Sequence, residues 1–160
     1  MKRYYIAYGS NLNVAQMRYR CPNARIIGTS WIDDYHLLYR GSKSGAYLTI
    51  EPMKSARVPV AVWEVTEDDE ARLDRYEGFP TFYYKKELEL DIIGIKTGKI
   101  RHRTCFVYIM HEDRQLGLPH PIYIGTCKEG YEDFGFDEKY LKEALDFSWR
   151  EMKWVPFYKK

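Results

Sequence analysis

The chain is short of cysteine, of long apolar runs and of net charge, and each shortage removes a class of protein. Its 160 residues include three cysteines, Cys21, Cys105 and Cys127, too few and too odd in number for a disulfide framework, which points to a reducing compartment. No apolar run approaches the ~20 residues a membrane-spanning helix requires. The opening Met1-Lys2-Arg3-Tyr4-Tyr5-Ile6-Ala7-Tyr8 goes straight into strand-like sequence, without the apolar stretch of a secretory leader. Lys and Arg number 25 against 23 Asp and Glu, a net +2, which offers no basic field for nucleic acid. No repeat, low-complexity run or Pro/Gly/Ser linker divides the sequence. The expectation is one cytoplasmic domain over residues 1–160, with 150–160 as a C-terminal extension, and neither membrane nor nucleic acid as partner. A domain of this length buries roughly 70% of its extended-chain surface, enough for one self-sufficient core.

What is abundant is tyrosine, with 15 residues. Tyrosine suits strands and also brings hydroxyls to a polar pocket. Residues 3–8 read as a short apolar strand ending at the turn-prone Gly9-Ser10-Asn11. Asn13 is a natural cap for a short helix bearing Met17 and Cys21. Residues 25–39 read as strand, interrupted at Gly28 and Asp33-Asp34. Residues 41–45 form a flexible loop, 46–50 a short strand, and Val58–Val65, apolar on both parities, a strand buried on two sides. Thr66 caps a helix that runs to about Glu77 and stops at Gly78. Alternation through Leu88, Leu90 and Ile92 marks a strand over 83–93, which a turn at 94–99 joins to another over 100–110. After a loop with Pro119 and Pro121, residues 137–152 have helical spacing and Asp137 as their cap. Many short strands with few helices give an α+β fold, a small closed or nearly closed barrel.

Two segments carry chemistry. Tyr8-Gly9-Ser10-Asn11-Leu12 lies where the first strand stops. Gly9 lets the backbone approach a ligand, and successive amides with the Ser10 and Asn11 side chains can form an anion-binding nest. On its own the segment reads equally as an ordinary strand-to-helix turn. Glu77 stands at the C-terminal turn of its helix, where unpaired carbonyls and the negative end of the dipole disfavour a carboxylate. Tyr76, Phe79 and Phe82 would add desolvation in the same direction. It is either a proton-transfer carboxyl tuned toward neutrality or a solvated surface glutamate.

Together the segments resemble the gamma-glutamylcyclotransferase-like family. Tyr8-Gly9-Ser10-Asn11-Leu12 is similar to its opening signature, and Leu73-Asp74 followed by Glu77-Gly78 to the region of its catalytic glutamate. The order between and beyond also fits: Ala46–Pro52, Val58–Val65, Tyr84 opening a strand, then Pro121-Ile122-Tyr123 before Gly125 and a C-terminal helix. The resemblance spans nearly the whole chain. It implies a small mixed β-barrel with flanking helices and an acyltransferase/lyase that uses no cofactor and no metal. The implied reaction cyclises a γ-glutamyl amino acid or γ-glutamyl amine to 5-oxoproline and a free amine, with Glu77 as general acid/base. It further implies that Tyr8, Gly9, Ser10, Asn11 and Leu12 hold the substrate, with Tyr84 and Tyr123 as additional pocket residues by motif position. The loops at 41–45 and 111–120 match no subfamily, so the leaving amine is left open, as is the oligomeric state, a homodimer included. A non-catalytic module that binds γ-glutamyl or 5-oxoproline-like molecules is the alternative.

Weaker signals fall away. His102, Cys105 and His111 lack paired zinc-ligand spacing. Cys21 and Cys127 show no partnered histidine. Gly41-Ser42-Lys43-Ser44-Gly45 lacks the ending of a phosphate loop. The aromatic and basic tail from Trp149 to Lys160 reads as packing rather than as a nucleic-acid platform, given the even charge balance.

Overall fold

A computed structural model describes residues 2–153. The chain order is β1 (Arg3–Ala7), a 3-10 turn (Ser10–Leu12), α1 (Val14–Arg20), β2 (Arg25–Gly41), β3 (Tyr47–Val65), α2 (Glu67–Glu77), β4 (Tyr83–Ile93), β5 (Ile100–Met110), β6 (Gln115–Leu116), α3 (Pro121–Phe134) and α4 (Lys139–Lys153). The strands order β3-β1-β5-β4-β2, and β2 pairs back onto β3, which closes the barrel; β6 extends the edge of β2. β1 runs parallel to β5, and the other ladders are antiparallel. The expected small mixed barrel with flanking helices is therefore the fold. Ile6, Val60, Val62, Trp63, Phe106 and Val107, each at most 2% exposed, belong to one continuous apolar core that provides the main driving force for folding.

Most local signals act where the sequence places them. The Asn13 side chain caps α1 by accepting from the Gln16 amide. Thr66 and Asp69 form a reciprocal capping box at the start of α2, and Gly78 ends it in the left-handed conformation at φ 65°. The β4–β5 ladder keeps register from Tyr83↔Met110 to Ile93↔Ile100.

Two readings are corrected. The strands expected at 46–50 and 58–65 are one strand, β3, paired along β2 from Tyr47 to Glu64. Residues 53–56 stand out from the ladder opposite Asp34, whose side chain accepts from the Ser55 amide at 2.9 Å. Asp34 and Ser55 both take positive φ there, so a wide bulge bends the hairpin and hides its continuity. The second correction is α3, absent from the sequence reading. His120 caps it, Pro121 opens it and left-handed Gly135 closes it, a proline-first, glycine-last pattern that marks helices. Residue 150, expected to begin an extension, lies within α4, and the tail signal from Trp154 onward falls outside the described residues. No helix among the described residues is long and apolar enough to cross a membrane.

Candidate active site

β1 delivers the chain to Tyr8 and Gly9 at one end of the barrel, where the 3-10 turn begins. Within that turn the Leu12 amide donates to the Gly9 carbonyl and the Asn13 amide to the Ser10 carbonyl, both at 3.0 Å. The amides of Gly9, Ser10 and Asn11 take no part in those bonds, as is usual at the open end of a turn. Gly9 allows close approach: a Cβ there would lie 3.2 Å from the Tyr123 hydroxyl, tight enough to displace it by a few tenths of an ångström.

α2 brings the second half. Glu77 is its last residue, and the Gly78 cap turns the chain away immediately after it. The carboxyl lines a cavity of about 340 Å³ together with Tyr8, Gly9, Ser10, Asn11 and Tyr123. The two sequence-distant segments thus meet at one cavity. Among the described residues the Glu77 side chain has neither a hydrogen bond nor an ion pair. It is half-buried and lines the cavity. This burial pushes its pKa from 4.5 up to about 8, against an opposing pull from the Arg20 guanidinium.

The same desolvation, reinforced by Glu77, raises the pKa values of Tyr5, Tyr8 and Tyr83 and keeps these hydroxyls protonated. Several are already committed. Tyr8 donates to the Tyr108 carbonyl at 2.7 Å, Tyr83 to the Leu48 carbonyl at 2.9 Å, and Tyr108 to Asp74 Oδ1 at 2.6 Å. Lys85 also meets Asp74, at 2.8 Å, which ties α2 to the barrel wall. Tyr5 accepts from Asn11 Nδ2 at 2.9 Å, and its own proton has no acceptor among the described residues. Tyr123 accepts from the Leu48 amide at 3.1 Å.

Arg20, at the end of α1, joins the two halves. It donates to Asn11 Oδ1, and its guanidinium lies 3.5 Å over the Tyr76 ring. The Tyr76 hydroxyl is 3.2 Å from Ser10 Oγ.

Two expected pocket residues lie elsewhere. Tyr84 is on the outer face of β4, where it donates to Glu112 Oε2 at 2.5 Å and tilts against His111. Strand side chains alternate faces, and its neighbour Tyr83 is the one that lines the cavity. Leu12 is fully buried in the core; it anchors the turn from below and its amide is used within it. Sequence reasoning missed Tyr5, Tyr83, Tyr108 and Arg20, and named Tyr76 only as a ring that desolvates Glu77. The high tyrosine count was the one visible signal for the tyrosines, and nothing pointed to Arg20, because position around a closed barrel depends on strand order. Among the described residues no cluster of His, Cys, Asp and Glu is arranged to hold a metal.

Comparison with known proteins agrees with this fold. The structure matches a gamma-glutamyl cyclotransferase with TM-score 0.76 and 24% identity over 90% of this chain and 86% of that one. It matches an uncharacterized human protein with TM-score 0.75 and 25% identity over 89% and 86%. A yeast γ-glutamyl cyclotransferase specific to glutathione gives TM-score 0.61 and 12% identity over 93% and 96%. No curated protein matches the sequence significantly. The family model described as gamma-glutamyl cyclotransferase, AIG2-like, matches residues 5–127, and the chain belongs to that family.

Proposed function

We propose that this protein cyclises γ-glutamyl amino acids or γ-glutamyl amines to 5-oxoproline and a free amine, with Glu77 moving the proton. The observation that carries the reading is an unpartnered carboxyl in a cavity bordered by the Tyr8–Asn11 turn, where burial raises its pKa to about 8. The ionised carboxylate takes a proton from the substrate's α-amino nitrogen. That nitrogen bonds to the γ-carbonyl carbon and closes a five-membered ring. The protonated Glu77 then passes its proton to the departing nitrogen, the old C–N bond breaks, and the carboxylate is restored. A carboxyl with a pKa near 8 is close in basicity to an amine, so neither transfer is steeply uphill. The Gly9–Asn11 amides and the free Tyr5 proton are donors for the glutamyl carboxylate and for charge developing on the carbonyl oxygen. A cavity that holds the chain folded back on itself supplies orientation worth several kcal/mol.

The test is a panel of γ-glutamyl compounds assayed for 5-oxoproline by mass spectrometry. Release from at least one compound, abolished by Glu77→Gln, is the expected result. Calorimetric binding of every compound without release would leave a binding module instead.

The pH dependence tests Glu77's role separately. Activity requires the carboxylate, so kcat/KM rises with pH through about 8. The substrate amine gives a limb in the same region, and Arg20 distinguishes the two. The Arg20 cation favours the charged form of Glu77, so Arg20→Met moves the limb to higher pH if the enzyme's carboxyl sets it. A limb that stays in place would assign it to the substrate.

A further inference from the structure

The cavity differs in character between floor and mouth. Its floor has amides and protonated hydroxyls. Its mouth has rings: Tyr47 and Tyr76, which are 43% and 45% exposed, and the half-buried Phe82. Tyr47 meets Phe82 edge-on at 6.3 Å and Tyr123 edge-on at 5.1 Å, so one aromatic wall runs from the mouth toward the Gly9 turn. A glutamyl unit seated at the floor leaves its amine substituent against this wall.

The charges around the wall decide which substituent fits. Aromatic faces attract cations, yet two of these rings already have guanidinium partners. Arg20 lies 3.5 Å over Tyr76 and Arg114 lies 4.9 Å over Phe82. Glu51, on the same strand as Tyr47, is paired with Arg40 at 2.5 and 3.1 Å. Glu77 acts as a carboxylate, and the Arg20 cation, which favours that charged form, offsets its charge. A second positive charge on the leaving amine therefore meets two fixed cations, whereas an apolar or aromatic substituent covers the exposed Tyr47 ring.

Building on the cyclotransferase reading, we propose that the substrates are γ-glutamyl conjugates whose leaving amine carries an aromatic or branched aliphatic group and no second cation. Conjugates of polyamines, and γ-glutamyl groups on a lysine side chain, are poor substrates. Tyr47 is the residue that selects between them.

The test compares kcat/KM at pH 8 for γ-glutamylphenylalanine, γ-glutamylglycine, γ-glutamylputrescine and ε-(γ-glutamyl)lysine. The phenylalanine conjugate is expected to exceed the putrescine and lysine conjugates at least tenfold. Tyr47→Ala is expected to lower kcat/KM about tenfold for the phenylalanine conjugate, mainly through KM, and only about twofold for the glycine conjugate. Tyr47→Phe keeps the ring and is expected to keep the preference, which separates lost contact from lost folding. Equal or better turnover of a cationic conjugate, or equal losses for all conjugates in Tyr47→Ala, overturns this inference and leaves the cyclotransferase standing. No 5-oxoproline from any conjugate overturns both.

Discussion

Glu77→Gln is expected to lower kcat by about 10²–10⁴-fold with little change in KM, the range for loss of a positioned proton carrier. The amide preserves shape and polarity but cannot take a proton. The same substitution has an opposite effect on stability, and its sign follows from linkage. Glu77's pKa in the folded chain, about 8, lies above its ordinary 4.5, so folding favours the neutral form. The stability this group contributes is complete below about pH 4.5 and lost as pH rises through about 8. Glutamine is neutral throughout. The variant should match the parent at pH 5 and exceed it at pH 9. One pH unit of displacement is worth about 1.4 kcal/mol, which caps the gain near 5 kcal/mol. Solvent contact inside the cavity reduces it to on the order of 2–3 kcal/mol. Urea denaturation of both proteins at the two pH values measures it. A variant that is inactive and also less stable at pH 9 would mean that the side chain is structural rather than strained by burial.

Gly130→Ala is the second large effect. Gly130 lies in α3 and is the point where that helix touches the substrate turn. A Cβ there would sit 2.6 Å from the Asn13 nitrogen and 2.7 Å from both the Leu12 carbonyl carbon and Leu12 Cβ. Two of these are backbone atoms, so α3 or the turn must move. Such overpacking costs about 3 kcal/mol, a fall in Tm of roughly 10 °C for a domain of this size. The displaced turn carries the Gly9–Asn11 amides, and a shift of about 1 Å in a positioning element can cost about 10²-fold in rate. Gly125→Ala is the control in the same helix. Nothing lies within 4 Å of a Cβ there, so it should stabilise by about 0.5–1 kcal/mol through helix propensity alone. Thermal melts and initial rates of the two variants should therefore move in opposite directions.

The parts that could be read from sequence were those whose causes are local. α2 carries its own capping box and glycine stop, and Glu77 was found because its helix end and neighbouring rings lie within a few residues of it. The β4–β5 hairpin announces itself by alternation and a tight turn. β3 was split because residues 53–56 leave the ladder and face solvent, so no apolar period bridges the gap. α3 was missed because its buried residues, Cys127, Gly130 and Tyr131, present a narrow face with little periodic signal. Choosing Tyr84 over Tyr83 is a one-residue error in a strand, and such an error moves a side chain to the opposite face. Tyr5, Tyr108 and Arg20 come from separate elements, and only barrel closure brings them to Glu77.

The central claim is that a buried, unpartnered carboxyl at Glu77 titrates far above its ordinary range. Protein labelled with ¹³C at glutamate carboxyls, followed by NMR from about pH 4 to about pH 10 and assigned against Glu77→Gln, reads that titration directly. The account predicts one glutamate resonance with a midpoint near 8, absent from the variant. A Glu77 midpoint near 4.5 would contradict it.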